Sequence, residues 1–353
     1  MTIVYVIEKI SGIGGMERIF ADKINWLCQQ NDIELTLLLV WKDDHSVEYP
    51  IDKRVNIVKL EVPYIKGGFF YPLALYKYNK FIKKTKPDIT VLCWVMGAFL
   101  GAYGHHVGKT IYESHLAATM MKHRWLINKM QYHVDTVVTL TVHDAKNFNK
   151  APTVKVIPNF TLLNPALTPS YESKHCVALG RLVYQKDYPR MIAIWKKIAE
   201  SHRDWILDIF GEGEERPLIE QCIKEAQLED KVVLHGNTQE VAKAYTSGSI
   251  YLMTSRMEGF PLVLIEAMTC GLPIVVFNCP YGPHDVVQHE KTGFLIPYHN
   301  DKAYIESLSM LMDNVNMRKQ MGIAAKAAVM QYSCEAIMQR WMNLFLEILN
   351  TTH

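Results

Sequence analysis

The residues of this chain best suited to chemistry lie in RMEGFPLVLIEAMTCGLPIVVF, positions 256–277. An apolar run ends near Ser255, a short loop holds Glu258, Gly259 and Phe260, and the pattern predicts a helix opening at Pro261. Glu258 and Glu266 are eight residues apart, so one carboxylate falls in the loop and the other about one and a half turns into the helix. A helix N-terminus offers unbonded N–H groups and a positive dipole end, which together suit an anion. Gly259 lets a ligand approach the backbone closely, and Glu266 is placed to accept from hydroxyls such as those of a ribose. The competing reading is an acid that complements the dipole and a second that is solvated on the helix.

A second segment, ALGRLVYQKDYPRMI (178–192), places Arg181 and Lys186 just past an apolar run. Two cations at a strand's carboxyl end suit a phosphate-rich ligand, Arg as a planar fork and Lys as a point charge. The alternative is a pair of solvated surface cations. Other signals fail on inspection. GHHVGKT (104–110) has three residues between its glycines where a P-loop needs four, and it runs into a strand. FGEGEER (210–216) carries Arg216 where a dinucleotide fingerprint needs its third glycine. The fourteen histidines include no H-E-x-x-H, and Ser114 lacks the G-x-S-x-G elbow.

These segments need a scaffold. The first half alternates apolar runs (2–8, 33–41, 55–60, 88–95, 109–114, 136–141) with amphipathic stretches such as 16–30 and 71–86. Near VKVIPNF (154–160) the pattern restarts, with runs at 175–180, 205–210, 231–236, 249–255 and 272–277. Apolar runs without strict alternation suit strands buried on both faces of a parallel sheet. The reading is therefore α/β, two doubly wound Rossmann-like domains, 1–160 and 161–334, with a linker near 158–172 and a cleft at the strands' carboxyl ends. A final helix, about 335–350, is expected to cross back onto the first domain.

Composition excludes several classes. The chain has 353 residues, 49% hydrophobic and 21% charged, as globular proteins do. No run of about 18 apolar residues suggests a membrane span, and the N-terminus lacks the pattern of a signal peptide. Seven cysteines without a C-x-x-C pair read as reduced cytosolic thiols, so a cytoplasmic enzyme is expected. Residues 1–160 hold 20 Lys+Arg against 14 Asp+Glu, hence +6; the remaining 18 against 22 give −4, and the two sum to the chain's +2. That asymmetry is too mild for a nucleic-acid binder.

The combination of GIGGMER (12–18), GRLVYQK (180–186), FGEGEE (210–215), HGN...V (235–241) and EGFPLVLIEAMTCGLPIV (258–275) resembles a known family. It is that of the retaining, nucleotide-sugar-dependent glycosyltransferases of GT-B fold, group 1 or family 4, of bacterial polysaccharide and lipid-linked glycan assembly. The resemblance spans nearly the whole chain and is strongest over 176–297. It implies transfer of a hexose or N-acetylhexosamine, with a UDP-sugar favoured as donor, to a glycan or lipid-linked acceptor, with no cofactor. It further implies that Glu258 contacts donor-sugar hydroxyls, that the backbone of Gly259, Phe260 and Pro261 lies along sugar and diphosphate, and that Glu266 holds the ribose. Arg181 and Lys186 would neutralise the diphosphate, Gly14 and Gly15 would admit it from the other domain, and Gly236 would begin the stretch that meets the base. His115, in YESHL, resembles the family's first-domain histidine near the reacting sugar, as base or as hydroxyl binder. The chain departs from the pattern at Asp187, where glycine is usual, and at Pro189, expected to interrupt the helix start. No D-x-D occurs, so metal-independent transfer is expected, with Arg181, Lys186 and the helix N-terminus in the metal's place. Runner-up readings are a sugar-nucleotide epimerase of the same fold, a nicotinamide oxidoreductase and a silent binding protein.

One further feature is YPLALYKYNKFIKKTKP (71–87), where Lys77, Lys80, Lys83, Lys84 and Lys86 accompany Tyr76, Tyr78 and Phe81. Such a helix suits peripheral contact with an anionic membrane on its inner face; equally, its aromatics can pack on the sheet while its lysines are solvated.

Overall fold

In the computed structural model, which describes residues 1–10, 15–42, 49–64, 70–115, 123–164 and 168–351, the apolar runs become parallel strands. The chain divides into two units, Met1–Asn159 with Cys334–His353, and Phe160–Ser333. The first unit holds β1 (Thr2–Ile7), β2 (Glu34–Trp41), β3 (Asn56–Val62), β4 (Ile89–Cys93), β5 (Lys109–Glu113), β6 (Thr136–Thr139) and β7 (Val154–Val156). Their order is β3-β2-β1-β4-β5-β6-β7, all parallel. β1 and β4 sit centrally with both faces covered, which is why their sequences, TIVYVI and ITVLC, are almost unbroken apolar runs.

Two local readings change. The strand expected over 88–95 stops at Cys93, and a helix, Trp94–Tyr103, begins at once. Gly97 permits this tight return, because a Cβ there would stand 2.8 Å from the Leu92 carbonyl carbon. VKVIPNF does not restart the pattern: Val154–Val156 pairs with β6 as the edge of the first sheet. The helix Cys334–Asn350 completes this unit, with Lys155 paired to Glu347 (2.7 Å) and Arg340 donating to the Val156 carbonyl (2.6 Å).

The second unit holds β8 (His175–Leu179), β9 (Ile206–Phe210), β10 (Val232–Gly236), β11 (Ile250–Met253), β12 (Ile274–Asn278) and β13 (Gly293–Pro297), ordered β10-β9-β8-β11-β12-β13. β13 escaped the sequence reading because its apolar run, between Gly293 and Pro297, is so short. On one face Trp195, Ile198 and Trp205 cover Leu207 and Ile209, and Tyr304 donates through the core to the Val275 carbonyl at 2.9 Å.

The G-x-G of FGEGEER now has a role. The loop after β9 crosses the loop after β8 at backbone contact, Leu182 N–H donating to the Glu212 carbonyl and Glu215 N–H to the Leu182 carbonyl, both 2.9 Å. Gly211 has φ +142°, and a Cβ there would fall 2.0 Å from the Gly180 oxygen. Gly211→Ala is therefore expected to cost more than about 1 kcal/mol, read from denaturant unfolding; an unchanged midpoint would refute this role.

Candidate functional site

In the second sheet β8 and β11 are hydrogen-bonded neighbours, but the chain leaves β8 toward β9 on one side and β11 toward β12 on the other. The connections onward from these two carboxyl ends run in opposite directions, and open α/β sheets bind ligands in the crevice at such a point. The loop after β8 carries Gly180, Arg181 and Lys186, and the loop after β11 carries Glu258, Gly259, Phe260 and Pro261. Sheet topology thus joins segments that lie about seventy residues apart in sequence.

The Lys186 ammonium reaches Glu258 Oε1 at 2.7 Å, the two side chains 15% and 6% exposed. Gln185 Nε2 donates to the Met257 carbonyl at 2.9 Å and lies 3.4 Å from Glu258 Oε2. Neither charge is a solvated surface group, so that alternative survives only for Arg181, which is exposed beyond β8. Burial pushes the neighbouring Cys279 thiol up to about 12, with the Glu258 carboxylate adding to the effect, so Cys279 remains a protonated wall group.

The two departures from the family pattern are accommodated. Asp187 takes the left-handed backbone (φ +53°) that glycine would adopt freely and that Asp tolerates better than most residues. Pro189 does not interrupt the helix: it sits in the first turn of Tyr188–Ser201, where its missing N–H has no helical partner to lose. Pro261, expected as the first helical residue, instead caps Leu262–Thr269 from outside. Gly282 (φ +88°) lies against it, and a Cβ there would strike the Pro261 ring at 2.4 Å.

Glu266 is not solvated. It is 5% exposed within the helix, and the buried Tyr245 hydroxyl donates to its Oε2 at 2.9 Å. Phe260 turns inward onto Tyr332, ring centroids 5.8 Å apart, so only its backbone can follow a ligand. Gly236 closes β10 with φ +75° and accepts the Gly211 N–H at 2.8 Å.

In the first unit Gly14 lies outside the described residues, and Gly15 opens the helix Gly15–Leu27, exposed. His115 follows β5 and is buried with neither ring nitrogen hydrogen-bonded; burial holds it below its ordinary titration range although Glu113, 3.3 Å away, pulls the other way. It is a neutral imidazole, edge-on to Trp94. Beneath it Glu113 pairs with the fully buried Lys23, whose ammonium rests 3.9 Å from the Trp341 ring. Burial pushes the Glu113 carboxyl up, but the charge and hydrogen bond of Lys23 outweigh this and leave it below the usual range. Among the described residues Cys93, Glu113 and His115 bring ligand-type atoms within 4.8 Å of one another. That group does not suit a metal ion, because the Lys23 ammonium already occupies Glu113 and burial keeps the Cys93 thiol protonated.

Sequence reasoning missed Gln185, Arg256, Tyr245 and the Lys23–Glu113 pair. Only Lys23 against Glu113, a charge on a helix face and another inside an apolar strand, left a mark, as unlike charges in segments otherwise read as buried.

The model described as "Glycosyl transferases group 1" matches residues 165–328. The chain is 27% identical to an uncharacterized glycosyltransferase of Haemophilus influenzae, over 96% of this chain and 98% of that one. It is 25% identical to the amylovoran biosynthesis glycosyltransferase AmsD of Erwinia amylovora, over 96% and 98%. Among solved structures it is similar to a mutant of S. aureus TarM in complex with fondaparinux, alpha-GlcNAc-glycerol and UDP, with a TM-score of 0.79 and 16% identity, over 98% of this chain and 99% of that one.

The buried pair of the first unit generates a stability test. Glu113→Gln strands the Lys23 charge and is expected to cost about 3–5 kcal/mol, much of it recovered when Lys23→Met is added. Because Glu113 is held low, its contribution is full above the ordinary carboxylate value of about 4.3 and is lost as pH falls through the folded value. The wild-type melting temperature should therefore fall more steeply in acid than that of the double variant; parallel curves would contradict the pairing.

Proposed function

We propose that this chain, a glycosyltransferase with the GT-B fold whose residues 165–328 match the group 1 model, works as follows. It moves a hexose or N-acetylhexosamine from a nucleotide diphosphate sugar, UDP-linked, to a glycan or lipid-linked glycan, retaining the anomeric configuration. The observation that carries this reading is the Lys186–Glu258 pair between the loops that follow β8 and β11, with Arg181 exposed in the first of these loops.

The pair suits an exchange. An arriving diphosphate takes the Lys186 ammonium, and the Glu258 carboxylate so released accepts from sugar hydroxyls. Neither charge is left without a hydrogen-bonding partner at any stage, which a buried site requires. As the bond from sugar carbon to phosphate breaks, negative charge grows on the departing diphosphate. Lys186, Arg181 and the N-terminus of Leu262–Thr269 hold that charge more strongly in the transition state than in the substrate. The acceptor hydroxyl attacks from the face the diphosphate leaves and gives its proton to the leaving phosphate, so no separate protein base is needed.

The remaining residues position the donor. The backbone of Gly259, Phe260 and Pro261 follows sugar and diphosphate, Glu266 takes ribose hydroxyls in the orientation Tyr245 imposes, and the stretch from Gly236 meets the base. His115 binds a sugar hydroxyl rather than acting as the base, and glycine at positions 14 and 15 sets no side chain against the phosphate. UDP in the TarM complex supports a uridine donor, and AmsD supports polysaccharide assembly. Three cations, none a metal, supply the electrostatics, counting the helix terminus as a partial one.

We also place the helix Tyr71–Thr85 at an anionic membrane surface. Tyr78 is buried and Lys77 donates to the Leu60 carbonyl at 2.6 Å, but Tyr76, Lys80, Lys83, Lys84 and Lys86 are exposed. No helix among the described residues is long and apolar enough to cross a membrane.

Three measurements test these readings. Lys186→Met should lower turnover about 10²–10³-fold, followed as UDP release from UDP-sugars in the presence of acceptor; retained turnover, or a changed sugar without any acceptor, would contradict transfer through this site. Excess chelator should leave activity intact, and a loss restored by magnesium or manganese would refute metal independence. The protein should float with liposomes containing anionic lipid and not with neutral ones, and equal recovery from both would sink the membrane assignment.

A further inference from the structure

The donor site is braced by a second ion pair that the reaction itself does not use. Asp187, one residue after Lys186, is 4% exposed and accepts from Arg256 Nη2 at 2.7 Å. Arg256 stands two residues before Glu258 and is itself tied down. Its guanidinium covers the Tyr184 ring at 4.2 Å, its Nε donates to the Tyr184 carbonyl at 3.1 Å, and its backbone N–H donates to the Gln185 carbonyl at 2.8 Å. The buried Thr254 hydroxyl adds a bond to the Asp187 carbonyl at 3.0 Å. Residues 184–187 and 254–258 are thus held together along their length, and Lys186 meets Glu258 at the far end.

From this arrangement we propose that Asp187 and Arg256 are positioning residues that set the Lys186–Glu258 separation and so prepare the site for the donor's diphosphate. The proposal rests on the donor-site reading above. Asp187 stands where the family pattern usually has glycine, and glycine satisfies the left-handed backbone without strain. Asp187 accepts that conformation and supplies in return a carboxylate that glycine lacks. Arg256 delivers a guanidinium to it from the opposite loop, while Arg190, in the helix that follows, adds a weaker charge and a backbone N–H. An Arg fork is well suited to the contact across the loops, since planar donors fix an angle as well as a distance.

A bracing pair predicts coupling. Calorimetric titration with UDP, GDP and ADP, using whichever binds tightest to the wild type, is run on Asp187→Asn, on Lys186→Met and on the double variant. Asp187→Asn keeps the side-chain shape and tolerates the backbone. It should weaken binding about tenfold in the wild-type background and less than about twofold when Lys186 is already Met, because the braced group is then gone. Arg256→Gln should reproduce the Asp187→Asn result independently. In the transfer assay both should raise donor KM and leave acceptor KM unmoved, which a general loss of stability would not do. Asp187→Gly should bind as weakly as Asp187→Asn; wild-type affinity there would assign the positioning to the backbone turn and overturn the proposal. Additive losses in the double variant, or unchanged affinity in Asp187→Asn, would overturn it while the donor site stands. A wild type that binds none of the three nucleotides would overturn the donor site and this inference together.

Discussion

The pairing of β8 with β11, at the point where the second sheet reverses its winding, is the constraint on which the site depends. Because the two strands are neighbours, the loops beyond them face each other, and a lysine and a glutamate far apart in sequence meet at 2.7 Å. Ion pairs largely withdrawn from water contribute little net stability, since desolvation offsets most of the attraction. A pair of this kind at the open end of a sheet therefore makes most sense as two charges waiting for better partners. A diphosphate and a sugar hydroxyl are such partners, one for each member.

The first unit offers an instructive contrast. Lys23, on the helix Gly15–Leu27, and Glu113, the last residue of β5, also pair at the carboxyl end of a strand, but both are almost wholly buried, and the Trp341 ring covers the ammonium. No ligand can exchange with that pair without opening the core. Its effect is to hold the end of β5, and hence the neutral His115 just beyond it, in a fixed place. The same chemistry is structural where aromatic rings close over it and available for binding where two loops meet at the open end of a sheet.

Much of this was legible in the amino-acid sequence, and the reasons differ by element. Strands such as TIVYVI and IVVFN announce themselves because burial on both faces leaves polar residues only at their ends. The loop-to-helix turn at Glu258–Pro261 was readable because glycine, proline and two acids at fixed spacing have few other uses. β13 and the end of β4 escape the reading because a run as short as FLI between Gly293 and Pro297, or one that continues directly into an apolar helix, carries no periodicity to separate strand from helix. The partners of the site residues were the hardest to foresee. Tyr245 reaches Glu266 across 21 residues and Arg256 reaches Asp187 across 69, and nothing in either stretch marks the other. Pairing of that sort is set by strand order, which a single sequence expresses only through the fold. Pro189 shows the converse error: a residue read as a helix breaker is a helix starter once the helix is known to begin at Tyr188.

The most direct test of the account is a crystal structure with an intact nucleotide diphosphate sugar bound. The account predicts the diphosphate within hydrogen-bonding distance of the Lys186 ammonium and the Arg181 guanidinium, the sugar hydroxyls on Glu258, and the present 2.7 Å contact between Lys186 and Glu258 lengthened or broken. A donor bound elsewhere on the protein, with that contact undisturbed, would contradict it.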